Sequence, residues 1–192
     1  MSTLTYTRIS HILYTESKET TETDGKVTNG KVLDLSIKQS YNTILKRYKK
    51  LLDIDLSYIK LKHGICINRD GSTNKKLLKN KCQCGASITD NNEIYIGDRK
   101  HLSKVLTFYK IQDTMIVDDL INILLAHELA HEVFQKHIPS IELRNDIVSK
   151  IKKLRFETVY TKHVKIHFKD KYDEELFCEY VADSIVKNKK PF

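Results

Sequence analysis

Leu124-Leu125-Ala126-His127-Glu128-Leu129-Ala130-His131-Glu132-Val133-Phe134 is the stretch that decides how this chain is read. Ile116, Leu120, Ile123, Leu124 and Phe134 recur around it at the three-, four- and roughly seven-residue spacings of a helix. Nothing from Asp118 to Lys136 is Gly or Pro, and Pro139 stops the run. The pattern predicts an amphipathic helix over residues 114–138, beginning near Asp113 or Thr114. On such a helix His127 and His131 project from one face and can grip a single metal ion. Glu128 lies about 100° further round the axis. From there it reaches a water on that ion without ligating the metal, which is the place for a general base.

A catalytic zinc takes three protein ligands and keeps one position open, so a third ligand is needed. Glu179 is one candidate. Leu176, Tyr180, Val181 and Ile185 predict a helix over residues 174–187, on which Glu179 and Asp183 share a face. Glu179 would bind the ion, while Asp183 would accept the free ring N–H of a ligating histidine and fix its tautomer. His137 is the other candidate. It lies six residues beyond His131, about 240° round a continuing helix. Phe134 stands where a glycine would let the chain bend back.

His127-Glu128-Leu129-Ala130-His131 followed by Glu179-Tyr180-Val181-Ala182-Asp183 resembles the gluzincin metallopeptidases. Among them the chain is similar to the small ImmA/IrrE-type peptidases, whose pattern is H-E-L-x-H and then E-x-x-A-N/D. The resemblance implies Zn2+ held by His127, His131 and Glu179, with Glu128 as base and Asp183 as orienting acid. It implies an α+β, zincin-like fold: a small twisted β-sheet packed on the active-site helix, with a C-terminal helical part. The strand around Glu93–Gly97 would then be the edge that pairs with an extended peptide. The implied activity is zinc-dependent endopeptidase action on a cytoplasmic protein substrate. Tyr160, His163, His167 and Tyr172 are the candidates for the extra oxyanion donor.

The resemblance covers residues 116–136 and 174–187. The gap between the motifs carries extra helical sequence from Ile141 to Tyr160, and no helix-turn-helix module is evident. Two alternatives stand beside it. Ligation by His137 resembles metzincin spacing and, with the net charge of +8, would fit a nucleic-acid-associated peptidase of the SprT or WLM kind. A zincin-like module that binds without cleaving is the other, and the intact Glu128 weighs against it.

The rest of the chain sets the frame. Its 192 residues suit one domain with a real core. The lysines are spread along the length, which points to a solvated surface, and no Lys/Arg–aromatic run marks a nucleic-acid face. No secretory signal or membrane-length apolar run is visible, so a cytoplasmic protein without membrane contact is expected. Cys66, Cys82, Cys84 and Cys178 are few and uneven, as for reduced thiols. Cys82-Gln83-Cys84 is not zinc-knuckle spacing and reads as two small residues at a strand edge.

Residues 1–37 read as a β-rich arm, with Val32-Leu33-Asp34-Leu35 as a return strand. A helix is expected over Gln39–Leu52 and a strand over Leu56–Lys62, prolonged by Cys66-Ile67. A further strand is expected at Glu93–Gly97 and a short helix from His101 to Tyr109.

Overall fold

The computed structural model describes residues 34–64, 72, 85–108, 115–157, 161, 165 and 169–192. Within them the chain is a mixed α+β structure of five α-helices and a three-stranded sheet. The elements are α1 (Leu35–Leu52), β1 (Lys60–His63), β2 (Ala86–Thr89), β3 (Glu93–Ile96), α2 (Arg99–Phe108), α3 (Val117–Glu132), α4 (Ile141–Lys153) and α5 (Tyr172–Val186). A π-helical turn, Val133–His137, follows α3.

α1 begins four residues before Gln39 because Asp34 caps it, its carboxylate accepting the Ser36 N–H at 2.8 Å. Asp34 and Leu35 therefore enter a helix, which corrects the expected return strand at that point. The arm before residue 34 lies outside the described residues, as do Cys66-Ile67, Cys82 and Cys84. Ile37, Tyr41, Ile44 and Tyr48 form the buried stripe of α1. Two of them end in hydroxyls that bind backbone: Tyr41 donates to Ile59 O at 2.8 Å and Tyr48 to Ala126 O at 2.6 Å. Arg47, on the same helix, donates to Val186 O at 2.8 Å and so closes the end of α5.

The sheet order is β1-β3-β2, with β1 parallel and β2 antiparallel to β3. Glu93–Ile96 is thus the central strand rather than an edge, a correction to the sequence reading. β2, which that reading passed over, is an edge of the described sheet. Gly97 N–H donates to Gly85 O at 3.1 Å, so Ser87 faces Tyr95 in a bonded pair and Ile88 turns its backbone groups outward. A Cβ on Gly85 would stand 2.5 Å from Leu124 Cδ1, so a larger residue at the start of β2 would have to push the Leu124 side chain aside.

α3 starts at Val117, later than expected, and is buried almost all round instead of along one face. The reason is that α1, α2, α5 and β2 pack against it from different sides. Its first turn is tied by Asp118, which accepts from Arg99 of α2. Ile116, expected in the apolar stripe, is 62% exposed. At the other end Arg144 of α4 donates to the carbonyls of Gln135 and Ile138, at 2.7 and 3.1 Å, and fixes the π turn. No described helix is long and apolar enough to cross a membrane.

Candidate metal centre

α3 and α5 lie against each other, and their contact carries the site. His127 and His131 are one turn apart on α3, with ring centroids 5.0 Å apart. Their Nε2 atoms both face Glu175 Oε2 of α5, at 3.2 and 3.7 Å. Ligand atoms about 2.0–2.1 Å from a tetrahedral zinc are roughly 3.3 Å from one another. The His127, His131 and Glu175 donor atoms all lie within 4.8 Å of each other, so this set fits a metal ion. It is the only such group among the described residues.

The other ring nitrogens also face carboxylates. Glu179 Oε1 stands 3.1 Å from His127 Nδ1, and Glu174 Oε1 stands 2.8 Å from His131 Nδ1. Three acids of one helix thus address two histidines of another. Burial alone would lower the imidazole pKa values, but the carboxylates outweigh it. His127 is held well above its ordinary value by Glu175 and Glu179, and His131 is raised by Glu175 and Glu174.

Glu128 is 8% exposed, and its carboxyl lies near enough to β2 for the Ile88 N–H to pull its pKa down slightly. Burial raises its pKa against the pull of the two imidazoles. A carboxylate tuned upward beside a metal-ligand set, and outside that set, is suited to taking up and returning a proton. Cys178, one turn before Ala182 on α5, is free and buried, and burial with nearby carboxylates pushes its thiol well up. It is therefore a packed neutral group rather than a nucleophile.

The sequence-predicted residues divide as follows. His127, His131 and Glu128 come together. Glu179 joins them, but at the Nδ1 of His127, and Glu175 occupies the position facing both Nε2 atoms. Asp183 pairs with Lys187 at 2.6 Å, two turns beyond Glu175. His137 sits beside Tyr58, its Nε2 3.1 Å from the phenol oxygen. That phenol also donates to Glu132 at 2.7 Å. Of the oxyanion candidates, Tyr172 opens α5 with Lys152 and Lys165 each 5.6 Å from its ring centroid. Tyr160, His163 and His167 lie outside the described residues.

Sequence reasoning missed Glu174, Glu175 and the Ile88 N–H. A signal for the acids was present: Glu175, Glu179 and Asp183 are spaced four apart, so the ligand-plus-orienter pattern fits in either of two registers. Lys187, four residues after Asp183, marks the surface end of that row. No protein-family model matches the chain, and no curated protein or solved structure is found to match it.

Proposed function

We propose that the protein is a zinc-dependent endopeptidase of zincin-like architecture, acting on a cytoplasmic protein substrate. The single observation that carries this reading is the approach of two histidine Nε2 atoms and Glu175 Oε2 within 4.8 Å, next to a buried Glu128 outside the set. His127, His131 and Glu175 would hold the ion, and Glu179 would keep the His127 proton on Nδ1 so that Nε2 faces the metal. A bound zinc supplies Lewis acidity and lowers the pKa of its water toward about 7.

The chain's own residues do the rest. Glu128 takes the proton of the attacking water and returns it to the nitrogen of the leaving amine. Its raised pKa narrows the gap to that nitrogen and makes the return easier.

The test is mass-spectrometric cleavage profiling of a proteome-derived peptide library with zinc-loaded protein, using Glu128→Gln as the control. Cleavage is expected from the wild type only, with both proteins retaining zinc. Loss of about 10²–10⁴ in rate is the ordinary weight of a general base. Equal cleavage by both proteins, or loss of zinc from Glu128→Gln, would sink the assignment of Glu128.

A further inference from the structure

His127 and His131 are oriented differently, and the difference points to a second positioning device. The His127–Glu179 contact is sealed, at 4% and 6% side-chain exposure. The His131–Glu174 contact is more open, at 13% and 26%. An acid so close to water wanders unless something else holds it, and exposed ion pairs contribute little for that reason. Glu174 is held. Gln135 Nε2 donates to Glu174 Oε1 at 2.6 Å, the same oxygen that stands 2.8 Å from His131 Nδ1. Gln135 lies on the π turn, and its own carbonyl accepts from Arg144 at 2.7 Å.

We propose that Glu174, steadied by Gln135, is the positioning residue for His131. It rests on the metal-centre reading given above. The logic is one of proton placement. His131 must offer the lone pair of Nε2 to the ion it would share with Glu175, so its ring proton must stay on Nδ1. A carboxylate only accepts, and at 2.8 Å Glu174 stabilises that tautomer and the ring rotation together. Gln135 in turn keeps Glu174 from turning out to water. The π turn matters because it sets where the Gln135 side chain leaves the helix, and Arg144 fixes that turn. The chain Arg144, Gln135, Glu174, His131 thereby links α4 to the metal ligands.

The experiment uses the full chain with Glu174→Ala, Glu174→Gln and Gln135→Ala. Zinc affinity is measured by competition with a chromophoric chelator, and the Nδ1–H signals are followed by NMR in zinc-loaded, 15N-histidine-labelled protein. Glu174→Ala is expected to weaken zinc by about 10- to 100-fold, the usual effect of losing an orienting partner. The His131 Nδ1–H signal should vanish into exchange with water while that of His127 persists. Glu174→Gln, whose amide oxygen still accepts, should restore the signal and part of the affinity. Gln135→Ala should give a smaller loss in the same direction.

Wild-type zinc affinity and a protected His131 Nδ1–H in Glu174→Ala would overturn the proposal while leaving the metal centre intact. Failure of the wild type to bind zinc would remove the metal centre itself, and with it this role. If Glu174→Ala does not fold, Gln135→Ala carries the same decision, and wild-type zinc affinity with a protected His131 Nδ1–H in that variant would overturn the proposal.

Discussion

Glu175→Gln against Glu179→Gln is the comparison that discriminates most sharply, because the two acids differ by one helical turn and by the ring nitrogen they face. Glu175 Oε2 stands 3.2 and 3.7 Å from the two Nε2 atoms, and Glu179 Oε1 stands 3.1 Å from one Nδ1. Zinc bound by four ligands is worth about 10–16 kcal/mol, or about 2.5–4 kcal/mol for each. Replacing the Glu175 ligand by a neutral amide should therefore cost about 10²–10³ in affinity. Glu179→Gln removes no ligand, and its amide oxygen can still accept from His127, so a loss of about tenfold is expected. Asp183→Ala should leave zinc binding unchanged, since Asp183 pairs with Lys187, two turns beyond Glu175. Chelator competition on the three purified variants, with circular dichroism as a check on folding, reads all of this. A larger loss from Glu179→Gln than from Glu175→Gln would refute the register argued here.

Two further outcomes are expected. In the metal-free protein the raised pKa values of His127 and His131 mean that the folded state holds protons the unfolded chain releases. That stability is fully present below the ordinary imidazole value of 6.5 and is lost as pH rises through the raised values. Zinc has fewer protons to displace as pH rises, so its lift in Tm should be larger at about pH 8 than at about pH 6; the opposite trend would contradict the pairing. Tyr48→Phe removes a buried donor 2.6 Å from Ala126 O and should cost about 0.5–1.5 kcal/mol, read as a lower urea midpoint at unchanged m. An unchanged midpoint would show that this bond contributes nothing.

Much of the fold was legible where local pattern and burial coincide. The Tyr41, Ile44, Tyr48 spacing announces α1, and Leu176, Val181 and Ile185 announce α5. β2 was not legible, because Ala86-Ser87-Ile88-Thr89 is short, nearly all buried, and lacks clean alternation. The amphipathic reading of α3 failed for a related reason: a central helix has no solvent face to display, so periodicity carries no information there. Pairing partners are also tertiary facts. Nothing local says that Glu93–Ile96 lies between two strands.

The candidate site shows the same division. His127, Glu128 and His131 share one helix, so their spacing fixes their geometry before any packing is known. Glu175 and Glu179 come from a second helix, and choosing between them needs the axial offset of α5 on α3. A slide of one turn, about 5.4 Å, exchanges their roles. Sequence spacing is blind to that offset. His137 was lost to a different cause. It ends a π turn held by Arg144 and turns to Tyr58 instead of back toward His131.

Among the described residues, the carboxylates that stand within 3.7 Å of the two imidazoles, Glu174, Glu175 and Glu179, are all delivered by α5, and the first of them follows His131 by 43 residues. During synthesis the imidazoles therefore leave the ribosome first and wait, at about 5–20 residues per second, for several seconds. Two imidazoles alone make a weak and indiscriminate trap for metals, and Glu128 beside them has nothing to act on. The centre comes into existence in one event, when the last helix docks. On the function proposed above, a nascent chain would be inert toward its neighbours, and a chain cut before Tyr172 would stay so, because it carries the motif without the means to complete it.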